Sequence, residues 1–478
     1  MSNARYVGRV GALAMALGVG NVRRAATRVA VSIGAAALVM ATAAPPASAA
    51  SSDPPPPPDR TALVLGGTTI PTPNPYYIKV IENQYVAPTH EGEVIEYLPV
   101  TTPQELWPIT GVFRILLIGL SIVEPQHAPP EFVAASLPEG YSLLKLSGLI
   151  DRTADQSLAD GADDLEAAIA KQGGPLVIFG YSQGAGVANV VKKRLAEQYE
   201  GTDAPDIDFV LVGDPNLPNG GLAARFPDLY IPILNFTLNG AASTDTPFDT
   251  VEIARQYDGF SDFPLYPLNL VADLNAVAGI VFVHTTMFDV SVPAENPTES
   301  PAYVGHYGDT DYYFFESENL PLFEPLRIAG VPEPVIDVFE PVVREVVELG
   351  YDRDIKPWEP TPARVFPTDL DPVEVTTNLV DAVGEGVDNA VELAEERPEL
   401  PKPKLRDQVD STVKIATSFV GNGRNVVRGG DLQSVHTSVR DTVKHTSDSA
   451  RTAVNTITDT VRSVLKGGSA GSGGSAGE

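Results

Sequence analysis

Ser182 stands in the pentapeptide Gly180-Tyr181-Ser182-Gln183-Gly184, directly after the apolar run Leu176-Val177-Ile178-Phe179. A serine hydroxyl attacks well only when a neighbouring base takes its proton and the backbone presents it at an accessible point. A sharp strand-to-helix turn does the second of these. It also brings the positions two before and two after the serine so close together that a β-carbon at either would clash. Gly180 and Gly184 occupy those positions. The bare Gly-x-Ser-x-Gly pattern is weak in a chain with 41 glycines, and a plain glycine-rich turn would match it too. Its flanks strengthen it: a run of strand length precedes, and Val187, Val190, Val191 and Leu195 follow at helical spacing. The stretch is predicted to be a strand, a nucleophile elbow and a helix, suited to acyl transfer through a serine ester.

Such a serine needs a histidine base and an acid behind it, and after an elbow of this type they follow in the order acid, histidine. The chain has six histidines. His90 and His127 precede the serine, and His436 and His445 lie in a polar, repetitive tail. His284 and His306 remain, and His284 leads because the apolar segment Leu268–Phe282 before it would hold its ring in place. For the acid, Asp258 leads, with Asp262 and Asp214 as alternatives. Asp214 competes because it ends the apolar run Ile207–Val212, and ligand sites form beyond strand ends. Any one of these aspartates is equally suited to capping a helix or closing a turn. The oxyanion of the intermediate needs preorganised donors, each worth about 3 kcal/mol. Thr68, in the turn Gly66-Gly67-Thr68 after the strand-like Thr61–Leu65, is the candidate, paired with the backbone N–H of Gln183.

The elements that must position these groups alternate. Thr61–Leu65, Gly111–Ser121, Leu176–Phe179, Ile207–Val212 and Thr250–Tyr257 read as strands; the continuous apolar run 111–121 is expected to be fully buried. Ser157–Gln172 and Leu268–Phe282 read as helices. Strand, helix, strand, elbow and helix in succession predict a doubly wound α/β fold, a mostly parallel sheet between two layers of helices. Between the candidate acid and base lies an apolar excess that includes Phe260, Phe263, Leu265, Tyr266, Leu268, Leu270, Val271, Leu274 and Ile280. It is expected either to wall an acyl-chain site or to be an ordinary core helix.

With 478 residues, 43% of them hydrophobic, the chain has material for a large core. It contains no cysteine, which excludes disulfides, thiolate metal sites and thiol catalysis. Neither a metal nor a cofactor is expected. The net charge of −29 would repel nucleic acid. At the N-terminus Arg23, Arg24 and Arg28 precede the apolar run Val29–Ala44 and then Ala47-Ser48-Ala49, so residues 1–49 read as a cleavable secretory signal. A retained anchor is the alternative, although Pro45-Pro46 interrupts the run. Residues 50–59 form a Pro-rich tether, 60–330 the α/β domain, 331–372 a Pro- and acid-rich extension or linker, 373–466 a helical tail and 467–478 a flexible Gly/Ser end. From 432 the tail repeats every 11 residues, aligning Leu432, Val443, Val454 and Leu465 on one stripe. That helix is expected to lie on lipid of a membrane or envelope, or else to be solvated or docked on the domain.

Phe179-Gly180-Tyr181-Ser182-Gln183-Gly184-Ala185 resembles the elbow of cutinases. Residues of roughly 60–330 as a whole resemble the PE-PPE domain, the cutinase-like serine hydrolases of mycobacteria and their relatives. The stretches that carry this resemblance are Leu65-Gly66-Gly67-Thr68, Arg255 through Pro264, Tyr266 through Leu270 and Asn319 through Arg327. The resemblance implies an α/β-hydrolase fold, with Ser182 as nucleophile, Asp258 as acid, His284 as base and Thr68 at the oxyanion; the helical C-terminal extension expected from the sequence pattern has no counterpart in it. It further implies esterase or acyltransferase activity on lipid esters, including acylated trehalose of the cell envelope. Two features depart from the pattern: cutinases proper are usually disulfide-bonded, and a signal segment stands where a PE or PPE helical domain would. A secreted ester-acting enzyme is therefore expected. A general short-chain carboxylesterase and a non-catalytic envelope-binding protein on the same fold are the alternatives.

Overall fold

The segment Leu176–Tyr181 is buried at all six positions, as a strand must be when parallel neighbours flank it and helices cover both its faces. The structure, a computed structural model, describes residues 58–123, 133, 143–367 and 371–396. The expected signal segment 1–49, nearly all of the Pro-rich tether, the 11-residue repeats and the Gly/Ser end lie outside the described residues.

Seven strands form the main sheet: β1 (Arg60–Val64), β2 (Ile95–Pro99), β3 (Leu176–Tyr181), β4 (Ile207–Val212), β5 (Thr250–Arg255), β6 (Tyr303–Tyr307) and β7 (Thr310–Phe315). Their spatial order is β2-β1-β3-β4-β5-β7-β6. All neighbours pair in parallel except β6, which returns antiparallel to β7. The principal helices are α1 (Thr110–Val123), α2 (Ala154–Ile169), α3 (Gln183–Gln198), α4 (Leu270–Phe282), α5 (Glu340–Glu348) and α6 (Pro372–Glu396). With a mostly parallel sheet and flanking helices, the chain has an α/β-hydrolase-like fold. Leu63, Ile178, Phe209 and Leu211 from the sheet pack with Leu165 of α2 and Val187 and Val191 of α3 in one buried cluster. The Val187 and Val191 spacing that marked α3 in the sequence is thus the stripe by which it docks.

The run 111–121 is a helix, not the buried strand expected from its composition. Val112, Ile115 and Leu116 of α1 are exposed, whereas Leu117 and Ile118 are buried. A continuous apolar run has no period, so it cannot distinguish a buried strand from a helix that is apolar all round. The strand of that interval is instead β2. It pairs only with β1 at the sheet edge, is only partly buried and ends on Pro99, a position that an edge tolerates.

Residues 331–364 fold back on the domain. Val347 of α5 and Tyr351 share a buried cluster with Tyr257, Ala272 and Leu320. Farther along, Arg225 donates to the carbonyl of Thr361 at 2.6 Å. Among the described residues no helix is long and apolar enough to cross a membrane.

Candidate active site

Ser182 follows β3 with φ 58° and ψ −120°, a backbone state that non-glycine residues rarely occupy and that persists only when the surroundings hold it. Its N–H donates to the carbonyl of Val212 at 2.9 Å, and its own carbonyl accepts from the N–H groups of Ala185 and Gly186 at 3.0 and 3.1 Å. The turn leaves no room at its flanks. A β-carbon on Gly180 would lie 2.6 Å from the carbonyl oxygen of Gly184, and one on Gly184 would lie 2.4 Å from that of Gly66.

His284 begins the turn after α4 and is 5% exposed. Its ring stacks on Tyr181 at 5.0 Å and meets Phe260 edge-on at 4.7 Å. The Tyr181 hydroxyl donates to the His284 carbonyl at 2.6 Å, so one tyrosine of the elbow holds both the ring and the backbone of the histidine. Nδ1 of His284 lies 2.8 Å from Oδ2 of Asp258, which is fully buried. That carboxylate is otherwise satisfied: Oδ2 accepts the Ser261 hydroxyl at 2.8 Å, and Oδ1 accepts the N–H of Phe260 at 2.9 Å. A carboxylate can only accept, so the proton of the imidazole belongs on Nδ1. Nε2 is then an acceptor; it is buried and has no hydrogen-bond partner.

Ser182 and His284 line one narrow cleft with Thr68, Ile70, Tyr181, Phe260, Ile280 and Thr285, closed by Phe113 and Leu117 of α1. The Gly66-Gly67-Thr68 turn presses on the elbow so closely that a β-carbon on Gly67 would lie 3.1 Å from Cβ of Ser182. Gln183 is the first residue of α3, where an N–H has no acceptor within its own helix. Its side-chain amide is anchored on the carbonyl of Glu105 at 2.9 Å.

The alternative residues lie elsewhere. The Asp262 carboxylate is taken by Arg353 and by the N–H of Tyr257 at 2.8 Å. Asp214 is buried beside Asn189 and the N–H of Asn216, at 2.7 and 3.0 Å, and burial pushes its carboxyl up to about 6. Its neighbour Glu252 is pushed well above the usual carboxylate range by burial and then by Asp214. His306 sits on exposed β6, 3.1 Å from Asp311 of β7. The expected acyl wall needs correction. Of the stretch between acid and base only Phe260 and Ile280 line the cleft, Leu265 and Tyr266 are core residues, and Leu268, Leu270 and Leu274 point to solvent. Phe113 and Leu117, assigned in the sequence to a strand, complete the wall. Sequence reasoning also missed Ser261, Tyr181 and Arg353. The first two lay inside stretches already singled out, and Arg353 carried no signal.

The sequence profile of the PE-PPE domain matches residues 97–352. The chain is 38% identical over 335 residues to Esterase PE16 of Mycobacterium tuberculosis, an alignment covering 68% of this chain and 55% of that protein. From the same organism, SL1278 acyltransferase Chp1 is 29% identical over 276 residues, covering 57% of this chain and 66% of that one. Diacyltrehalose acyltransferase Chp2 is 29% identical over 238 residues, covering 48% and 66%. The chain thus spans about half the length of PE16 and roughly two-thirds of the two acyltransferases.

Proposed function

The chain belongs to the PE-PPE domain family, and from that premise we propose that it is an ester-acting enzyme in which Ser182, His284 and Asp258 make and break an acyl-enzyme. The observation that carries this is the pairing of His284 Nδ1 with the buried Asp258 carboxylate at 2.8 Å, which leaves an unpartnered Nε2 in the cleft that Ser182 also lines. The names of an esterase and two acyltransferases among its relatives support the same class of chemistry.

In this mechanism Nε2 of His284 takes the Ser182 proton as the hydroxyl oxygen bonds to the ester carbonyl carbon. The carbonyl oxygen becomes an oxyanion, for which the backbone N–H of Gln183, at the start of α3, and a donor from Thr68, which lines the same cleft, are the proposed partners. Asp258 keeps the imidazole in the required tautomer and stabilises the imidazolium. Collapse of the intermediate breaks the bond to the leaving alcohol, which receives the proton from Nε2, and the acyl group stays on Ser182. Water then releases the acid, or another alcohol takes the acyl group. Phe113, Leu117, Phe260 and Ile280 suit the cleft to an apolar acyl chain. Acyl esters of envelope lipids, trehalose esters among them, are the proposed substrates, and export through the N-terminal 49 residues is part of the same proposal.

A fluorophosphonate probe tests it together with release of p-nitrophenol from acyl esters. Wild-type protein is expected to label and turn over, and Ser182→Ala to do neither. Turnover that survives Ser182→Ala would overturn the mechanism, and a wild-type chain that neither labels nor turns over would favour the non-catalytic alternative.

A further inference from the structure

Thr69 is buried and has φ 78°, and the residues on either side of it, Thr68 and Ile70, line the cleft of Ser182. It is the third residue of a four-residue turn that the N–H of Ile70 closes onto the carbonyl of Gly67 at 2.9 Å. A positive φ at that place belongs to the glycine position of a type II turn, and a β-branched residue stays there only where its surroundings hold it. The holding contact is the Thr69 N–H, which donates to the carbonyl of Gln104 at 2.8 Å. Gln104 is also buried and left-handed, with φ 50°, and its side-chain amide donates to the Thr102 hydroxyl at 2.8 Å. Two buried non-glycine residues with positive φ thus meet through one hydrogen bond beside the cleft.

The next carbonyl of this segment, that of Glu105, is the one that accepts the side-chain amide of Gln183. Glu105 is anchored from outside the cleft. Its N–H donates to the hydroxyl of Ser157 in α2 at 3.0 Å, and its carboxylate accepts the N–H and the guanidinium of Arg152 at 2.8 and 3.3 Å. Two consecutive carbonyls therefore hold the two halves of the proposed oxyanion site, the turn that carries Thr68 and the first residue of α3. Type I and type II turns differ by rotation of their central peptide, which here joins Thr68 to Thr69. Rotation would relieve the strain at Thr69, but it would bring the Thr68 carbonyl to face the Gln104 carbonyl, acceptor against acceptor. Gln104 thereby fixes the turn and uses up the Thr69 N–H, which leaves Thr68 as the donor from this side.

We propose that Gln104 and Glu105 are positioning residues: their adjacent carbonyls set the distance and angle between the donor from Thr68 and the N–H of Gln183. Such donors act only at the place where the oxyanion forms, so their spacing governs the transition state. Neither residue lines the cleft, and both act through the groups they hold. The inference rests on the acyl-enzyme proposed above.

The test uses the full chain, a p-nitrophenyl acyl ester and an alkyl trifluoromethyl ketone. Oγ of Ser182 adds to the ketone carbon, its proton passes to Nε2 of His284 and the ketone oxygen becomes an oxyanion. Gln183→Ala cuts the contact to Glu105 and keeps the backbone N–H, and Ser157→Ala frees the N–H of Glu105 away from the cleft. A third variant carries the α-hydroxy acid analogue of threonine at position 69, so that an ester oxygen replaces the N–H that Gln104 accepts. Gln183→Ala and the ester variant are each expected to lose about tenfold in kcat, and Ser157→Ala about threefold, with KM unchanged. The inhibition constant of the ketone is expected to rise by the same factor in each. If Gln183→Ala and the ester variant change only the melting temperature, the inference is overturned. A loss of kcat without weaker inhibition by the ketone overturns it too, because the loss then lies away from the oxyanion. Where Gln183→Ala does not fold, the ester variant decides. Wild-type protein that neither turns over the ester nor binds the ketone would sink the acyl-enzyme and this inference with it, whereas an active wild type with indifferent variants sinks the inference alone.

Discussion

Arg353 binds Asp262 with Nη1 at 2.8 and 3.0 Å from the two carboxylate oxygens, and so ties the extension to the loop that carries Asp258. The same Asp262 accepts the N–H of Tyr257, which has φ 66°, and its own N–H donates to the Asp258 carbonyl at 2.6 Å. Arg353 also reaches Glu348 at 2.9 Å and lies over the Tyr351 ring at 3.9 Å. The turn on which Asp258 sits is therefore held from outside its own segment.

Removing the cation should loosen that turn. Arg353→Ala leaves a buried carboxylate unpaired, and with Arg353 about a third exposed the loss is expected to be about 2 kcal/mol. Urea denaturation measures it. Asp262→Asn added to Arg353→Ala should recover part of the stability, since the stranded charge is then gone.

Asp258→Asn keeps the shape of the acid while removing its charge and its preference for the Nδ1–H tautomer. Ester turnover is expected to fall by about 10⁴-fold in kcat with little change in KM. A loss confined to KM would place Asp258 outside the chemistry.

Gly213 and Gly201 form a matched pair. Both have positive φ, 60° and 70°, so the backbone strain of alanine at either is expected to cost about 1 kcal/mol of stability, with the clash described next adding to it at Gly213 alone. Only at Gly213 would the new β-carbon meet the site, 2.9 Å from Cε1 of His284; at Gly201 it meets open space. Gly213→Ala should therefore depress kcat and Gly201→Ala should not, a contrast that steady-state kinetics resolves.

Asp214 gives stability a pH dependence of unusual sign. Its folded value, about 6, lies above the ordinary carboxylate value because burial opposes the charge, so the folded chain binds this proton more tightly than the unfolded one. The contribution is full below the unfolded value and is lost as pH rises through about 6. Between about pH 4 and 7 it amounts to about 3 kcal/mol by linkage, with Glu252 adding in the same direction. Asp214→Asn should flatten this part of the curve, and chemical denaturation of both proteins across that range checks it.

What the sequence determined by itself was local. The strand, the elbow and α3 were legible because the steric demand for Gly180 and Gly184 around Ser182, and the stripe of Val187 and Val191, act within a few residues of one another. The α/β class followed from alternating patterns of the same short range. Residues 111–121 were not legible, since an apolar run without a period carries no information on helix against strand, and with them went the Phe113 and Leu117 wall of the cleft. Only the tertiary structure chose among three aspartates and two histidines. Asp258 meets His284 across 26 residues of chain and Arg353 meets Asp262 across 91, and such meetings depend on strand order and on where loops leave the sheet. The hold of Gln104 and Glu105 on the site belongs to the same kind of fact: the turn after β1, α2 and the start of α3 bring Thr69, Ser157 and Gln183 to one dipeptide, and nothing in their spacing along the chain announces it.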